Sequence, residues 1–140
     1  MSCVLPTNAD LLLDTAIALV QTTNENHAAV VKRAAGHTLG LAGHAAIEAY
    51  SVLTRLPGAQ RVSAATALRI IQHNFPASHE LSAVAAAGAL ERFRDAEIAG
   101  GAVYDGLVAL AAQEAGIPML TCDRRALVTY ARLGVVVDVV

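Results

Sequence analysis

Tryptophan is missing from this chain and the other aromatics are scarce, three Tyr and two Phe in 140 residues. With so few rings, the interior has to be built from Ala, Val, Leu and Ile packed as helices and strands. Charge is thin too: 16% of residues are charged and the net charge is −2, which excludes a protein that holds nucleic acid by bulk electrostatics. Any contact with a polyanion has to be local. Lysine occurs once, as Lys32, and the remaining basic residues are arginines, the better bidentate partners for phosphate. Two cysteines, Cys3 and Cys122, form no CxxC pair, which excludes a disulfide framework and fits a reducing compartment. The histidines show no HExxH pattern and no i, i+4 pairing, so a zinc site has no support and any metal has to be held by oxygen. No apolar run reaches the roughly 18 residues of a membrane span. Met1 to Asp10 lacks the basic start, apolar stretch and small-residue cleavage site of a secretory signal. A cytoplasmic protein without a membrane segment is expected.

What the chain has in quantity is aliphatic side chains, 55% hydrophobic residues with a mean hydropathy of +0.49. That is enough for one core, and the length gives one domain over residues 1–140. With so few charges to cover it, part of the surface should itself be apolar and meet a partner, so an oligomer is expected.

Strand-like and helix-like stretches alternate. Leu11 to Asp14 reads as a buried strand, with Thr15 capping a helix from Ala16 to Val20. Asn26 caps a second helix through Ala35, which Gly36 terminates before a strand from His37 to Leu41. A helix from Gly43 to Leu56 stops at Pro57-Gly58, and another from Ser63 to His73 stops before Pro76, the two forming a hairpin. His79 to Leu81 reads as a short strand ahead of a helix from Ala83 to Arg94 capped by Ser82. Ala102 to Ala115 is helical, Gly116 ends it, and Ile117 to Cys122 is a strand. A short helix from Arg125 to Arg132 ends at Gly134, and Val135 to Val140 is the last strand. This alternation predicts an α/β fold with a mostly parallel central sheet and helices on both faces.

Four acids stand out against this background. Asp14 and Asp123 close apolar strands, whereas Glu48 and Asp105 interrupt alanine-rich helices. Parallel sheets collect their chemistry outside the carboxyl ends of the strands. Acids gathered there repel unless they are protonated or neutralised, so the arrangement asks for a hard divalent cation such as Mg²⁺ or Mn²⁺ and for phosphoryl-transfer chemistry. Each acid also has an ordinary explanation. Asp14 suits a cap or turn, Glu48 an exposed helix face, Asp105 the positive end of a helix dipole, and Asp123 a turn paired with Arg124 or Arg125. Thr121 can orient Asp123 or simply fill a strand position. A phosphoacceptor signalling domain would place a strand-end lysine beside its aspartate, but Lys32 lies in a helix. A haloacid-dehalogenase-like phosphatase would need an acid where Ala16 stands. A non-catalytic binding protein is the remaining alternative.

Taken together and in this order, the residues resemble PIN-domain ribonucleases, in particular the small VapC-like toxins of bacterial toxin–antitoxin pairs. The matching pieces are Leu12-Leu13-Asp14-Thr15, Glu48, Tyr104-Asp105-Gly106-Leu107-Val108-Ala109-Leu110-Ala111 and Leu120-Thr121-Cys122-Asp123. Ala16 departs from the serine common at its position. The resemblance implies a PIN-like three-layer α/β/α sandwich and an endoribonuclease that hydrolyses RNA phosphodiester bonds. Asp14, Glu48, Asp105 and Asp123 would serve as both metal ligands and catalytic residues for Mg²⁺ or Mn²⁺. A homodimer and a cognate antitoxin are also implied, and the apolar residues Ala45, Ala46, Ala49, Val52 and Leu53 near Glu48 are expected to line the antitoxin's groove.

Overall fold

The computed structural model describes residues 9–14 and 25–140. The expected helix from Ala16 to Val20, its cap Thr15 and Cys3 lie outside the described residues. Strand β1 (Leu11–Leu13) is central, with β2 (Leu39–Leu41) on one side and β3 (Met119–Thr121) on the other; β4 (Val137–Val139) follows β3. All pairings among these strands are parallel, with Leu12 opposite Gly40 on one flank and Met119 on the other. A buried parallel sheet explains the unbroken apolar runs: Leu12, Leu13, Leu41, Met119 and Leu120 are at most 1% exposed.

Helix α1 (His27–Ala34) leads into β2. Helices α2 (Ala45–Arg55) and α3 (Ala64–Asn74) form the expected hairpin, tied at its closed end by the Val62 N–H donating to the Leu53 carbonyl. Helices α4 (Ala83–Ala87), α5 (Ala89–Asp95), α6 (Ala102–Ala115) and α7 (Leu127–Arg132) complete an α/β/α sandwich. Helix α6 is buried nearly all round along Val108, Ala109, Leu110, Ala111 and Ala112, which is why its sequence reads as continuous apolar residues. Gly116, at φ 67°, ends it in the left-handed conformation. No helix among the described residues is long and apolar enough to cross a membrane.

Three expectations need correction. The helix expected over Ala83 to Arg94 is two helices that meet at Gly88. The strand expected at His79 to Leu81 is instead an extended edge over 77–79, where Ala77 and His79 donate to the Leu39 and Leu41 carbonyls and the His79 carbonyl accepts from Gly43. Gly40 makes that close approach possible, since a Cβ there would lie 2.2 Å from the Ala77 oxygen. The helix expected from Arg125 begins as a 3₁₀ turn, Arg124–Ala126.

Candidate metal centre

Because every strand pairing is parallel, β1 and β3 both release their chains at the same edge of the sheet. Asp14 leaves β1 there, 3% exposed, its N–H donating to the Leu120 carbonyl. Asp123 leaves β3 two residues past Thr121, half-buried. One hydroxyl ties the two turns together: Thr121 Oγ1 accepts the Asp123 N–H at 3.0 Å and donates its own proton to Asp14 Oδ2. The same Oδ2 accepts the Tyr130 hydroxyl at 2.9 Å. Asp123 in turn caps the 3₁₀ turn, its Oδ1 accepting the Arg125 N–H at 3.0 Å.

The two helical acids arrive differently. Glu48 and Asp105 each sit in the first turn of a helix, α2 and α6 respectively, where the N-terminal dipole favours an anion. Helix α2 starts just after β2 leaves the carboxyl edge, and α6 ends just before β3 enters the sheet at the opposite edge, so both helix N-termini point to the side where Asp14 and Asp123 emerge.

The charges of the other three acids all reach Asp105. Asp105 is pushed up to about 6, first by burial and then by the charges of Asp123, Glu48 and Asp14, with Arg125 opposing. Burial and the neighbouring Asp14 push the Tyr130 hydroxyl far above its ordinary range, so it stays a proton donor. The Cys122 thiol, one residue past the end of β3, is also pushed up, by burial and then by Asp14 and Asp123, which keeps it protonated.

A family model, that of the PIN domain, matches residues 11–133, which takes in all four acids. The chain belongs to the PIN-domain family. It is 44% identical over 127 residues to Ribonuclease VapC27 of Mycobacterium tuberculosis, an alignment covering 89% of this chain and 93% of that one. Its identity to Ribonuclease VapC40 of the same species is 40% over 126 residues, covering 89% and 92%. Among solved structures, FitAB bound to the IR36 DNA fragment superposes with a TM-score of 0.69 at 19% identity, over 92% of this chain and 94% of that one. FitAcB from Neisseria gonorrhoeae gives 0.66 at 18% identity, over 91% and 95%. These two likenesses concern the fold.

Among the described residues no three His, Cys, Asp or Glu side chains stand close enough together to form a group able to hold an ion. The donor set nonetheless suits a hard cation, being all carboxylate, and a divalent ion would relieve the repulsion that adds to burial in lifting Asp105. The residues fit the metal that PIN-domain ribonucleases generally require.

Two residues at this edge were not anticipated from the sequence. Tyr130 is 2% exposed and bonded to Asp14, and only its hydroxyl, which demands a partner when buried, hints at more than packing. His44, at the N-cap of α2, carries a buried Nδ1 without a hydrogen-bond partner among the described residues. Thr121, which could orient Asp123 or simply fill a strand position, accepts the Asp123 backbone N–H. Arg124 and Arg125 are exposed, with Arg125 Nε 3.6 Å from Asp123 Oδ1. Of the residues expected to line the antitoxin's groove, Ala45 and Ala49 belong to the core, at 0% and 1% exposure, Ala46, Val52 and Leu53 are half-buried, and the large apolar side chains that the α2–α3 hairpin exposes are Ile47, Tyr50 and Leu68.

Proposed function

We propose that this chain is a metal-dependent endoribonuclease, the toxin of a toxin–antitoxin pair, acting in the cytoplasm. The observation that carries this is the four-acid crevice at the carboxyl edge of the parallel sheet, in a PIN domain similar along most of its length to ribonucleases VapC27 and VapC40. Asp14, Glu48, Asp105 and Asp123 are the catalytic and metal-ligating residues, and Mg²⁺ or Mn²⁺ is the ion. Bound there, the ion supplies charge stabilisation at the scissile phosphate and a water acidified enough to attack at neutral pH.

The chain's own residues set up that chemistry. Asp14 is held by two hydroxyls and Asp123 by the turn it caps, so the strand-end ligands are ordered before anything binds. Glu48 and Asp105 ride in the first turns of helices that bury residues in the core. Four carboxylates without a counter-charge would repel RNA; neutralising the acids is what admits the phosphate backbone.

The partners are RNA as substrate and a cognate antitoxin, with a second copy of the chain as dimer mate. The exposed apolar residues Ile47, Tyr50, Leu68, Val84, Leu90 and Val128 support protein contacts of this kind. The deciding experiment incubates the purified chain with total RNA, with and without Mg²⁺ or Mn²⁺, and maps new ends. Metal-dependent internal cleavage that disappears in Asp105→Asn is expected; identical RNA profiles in all conditions would exclude nuclease action.

A further inference from the structure

The proposed ligands leave one question at the sheet edge: why a phenol is buried against a carboxylate. A phenylalanine at position 130 would fill the same apolar space, so the hydroxyl needs its own explanation. It lies on α7, and Thr121 lies on β3, yet both donate to the same oxygen, Oδ2 of Asp14. The donor directions are fixed. Thr121 Oγ1 already accepts the Asp123 N–H, so its single proton is available to Asp14, and an ionised carboxylate can only accept from Tyr130. An aspartate's terminal torsion is broad and sets no carboxylate plane by itself. Two donors on one oxygen, coming from two elements, remove that freedom.

We propose that Tyr130 is a positioning residue for the metal centre, its hydroxyl and that of Thr121 clamping Asp14 Oδ2 so that the carboxylate is held in one orientation towards a divalent cation. The inference rests on the metal reading above. Groups that hold a ligand in place are worth about 10–100-fold in metal affinity or activity. The hydroxyl's contribution therefore appears in the binding of the ion and not in the binding of RNA.

The test compares wild type with Tyr130→Phe, which keeps the ring and removes the donor. Affinity is read from the electron paramagnetic resonance of free Mn²⁺ in a titration, without RNA. Tyr130→Phe should bind Mn²⁺ about 10–100-fold more weakly. Its RNA cleavage should return towards the wild-type rate at saturating Mn²⁺ with KM for RNA unchanged, which a merely loosened core would not do. Wild-type affinity in a folded Tyr130→Phe, or a cleavage defect that excess Mn²⁺ does not reduce, overturns the assignment alone. Failure of wild type to bind Mn²⁺ saturably overturns the metal reading and this assignment with it. Should the variant not fold, the wild-type chain labelled with 3-fluorotyrosine decides: the Tyr130 fluorine resonance should shift with Mg²⁺ at the midpoint of cation binding, and a resonance that ignores Mg²⁺ overturns the clamp.

Discussion

Asp105 carries the clearest electrostatic signature in the chain, and it gives a signed pH dependence. Its folded pKa of about 6 lies above the ordinary 3.8, so between those values the folded chain keeps a proton that the unfolded chain has lost. The stability attributable to this group is thus full below about pH 4, falls as pH rises towards 6, and stays reduced above it. The group is partly exposed, so solvent screening leaves about 1 kcal/mol of the nominal cost. Metal-free Asp105→Asn should therefore melt higher than wild type at pH 7.5 and no higher at pH 4, a difference that calorimetry at the two pH values will resolve. The same substitution should lower RNA cleavage on the order of 100-fold or more, because it removes a charged ligand at constant size. A wild-type rate at limiting Mg²⁺ would remove Asp105 from the site. Asp14, Glu48 and Asp105 stand out in the sequence because each is a lone charge in an apolar setting, whereas Asp123 closes an apolar strand but is followed by Arg124 and Arg125. Tyr130 does not stand out. Its partner Asp14 is 116 residues away, and a tyrosine inside Leu127-Val128-Thr129-Tyr130-Ala131 reads as core until the fold brings the two together.

Helix starts were the elements most open to sequence reasoning, since a cap is a local event. Ser82 does accept the Ala85 N–H as the expected side-chain cap, and Ser63, expected as the first helical residue, instead caps by accepting the Thr66 N–H. Asn26 does not cap through its side chain, because its backbone already takes up the helical conformation. The 77–79 edge was hidden for the opposite reason: Ala77 and His79 bond to β2, and nothing local in Pro76-Ala77-Ser78-His79 announces that partner. Burial of the network behind it adds a further tie. Glu114 on α6 is held below its ordinary value despite burial, through hydrogen bonds from the Ser82 hydroxyl and N–H and from His79. Between β2 and α2 the chain turns at Gly43, at φ 51°, where a Cβ would lie 2.9 Å from the Ala111 Cβ and 3.3 Å from the Leu107 oxygen of α6. Gly43→Ala combines left-handed strain with overpacking against a buried helix, so a loss of roughly 2–4 kcal/mol is expected in urea unfolding. Cleavage should fall as well, because α2 begins just after this turn and carries Glu48. An unchanged midpoint would mean that α6 yields freely, contrary to its burial.

At the scale of the whole molecule, composition pointed to a partner, and the residues first expected to meet it are only in part accessible. The excess of aliphatic residues is real, but Ala45 and Ala49 went into the core while bulkier side chains on the same helix stayed in solvent. Helical phase explains the difference: a hairpin helix packed on a sheet turns its small residues inward, where backbones approach closely, and the positions between them outward. Cation binding also acts on the whole fold. An ion that binds only the folded chain adds about 2.7 kcal/mol at a hundredfold excess over its dissociation constant, so Mg²⁺ should raise the wild-type melting temperature and leave an Asp14→Asn, Asp105→Asn double variant nearly unmoved. Equal shifts in both would place the ions elsewhere. The partner surface can be tested separately from the site. Ile47 and Tyr50, three residues apart on α2 and 62% and 38% exposed, offer the i, i+3 anchor spacing that an apolar partner helix uses. A charge at Ile47 faces water in the free chain and is desolvated only when the antitoxin docks, so Ile47→Asp should leave melting within about 0.5 kcal/mol of wild type. Its affinity for the antitoxin should fall by at least about tenfold in calorimetric titration, since an unpaired charge buried at an interface is costly. The chain co-expressed with its antitoxin would then escape inhibition and cleave RNA in the cell. Wild-type affinity in Ile47→Asp would place the antitoxin on another face, leaving the nuclease centre untouched.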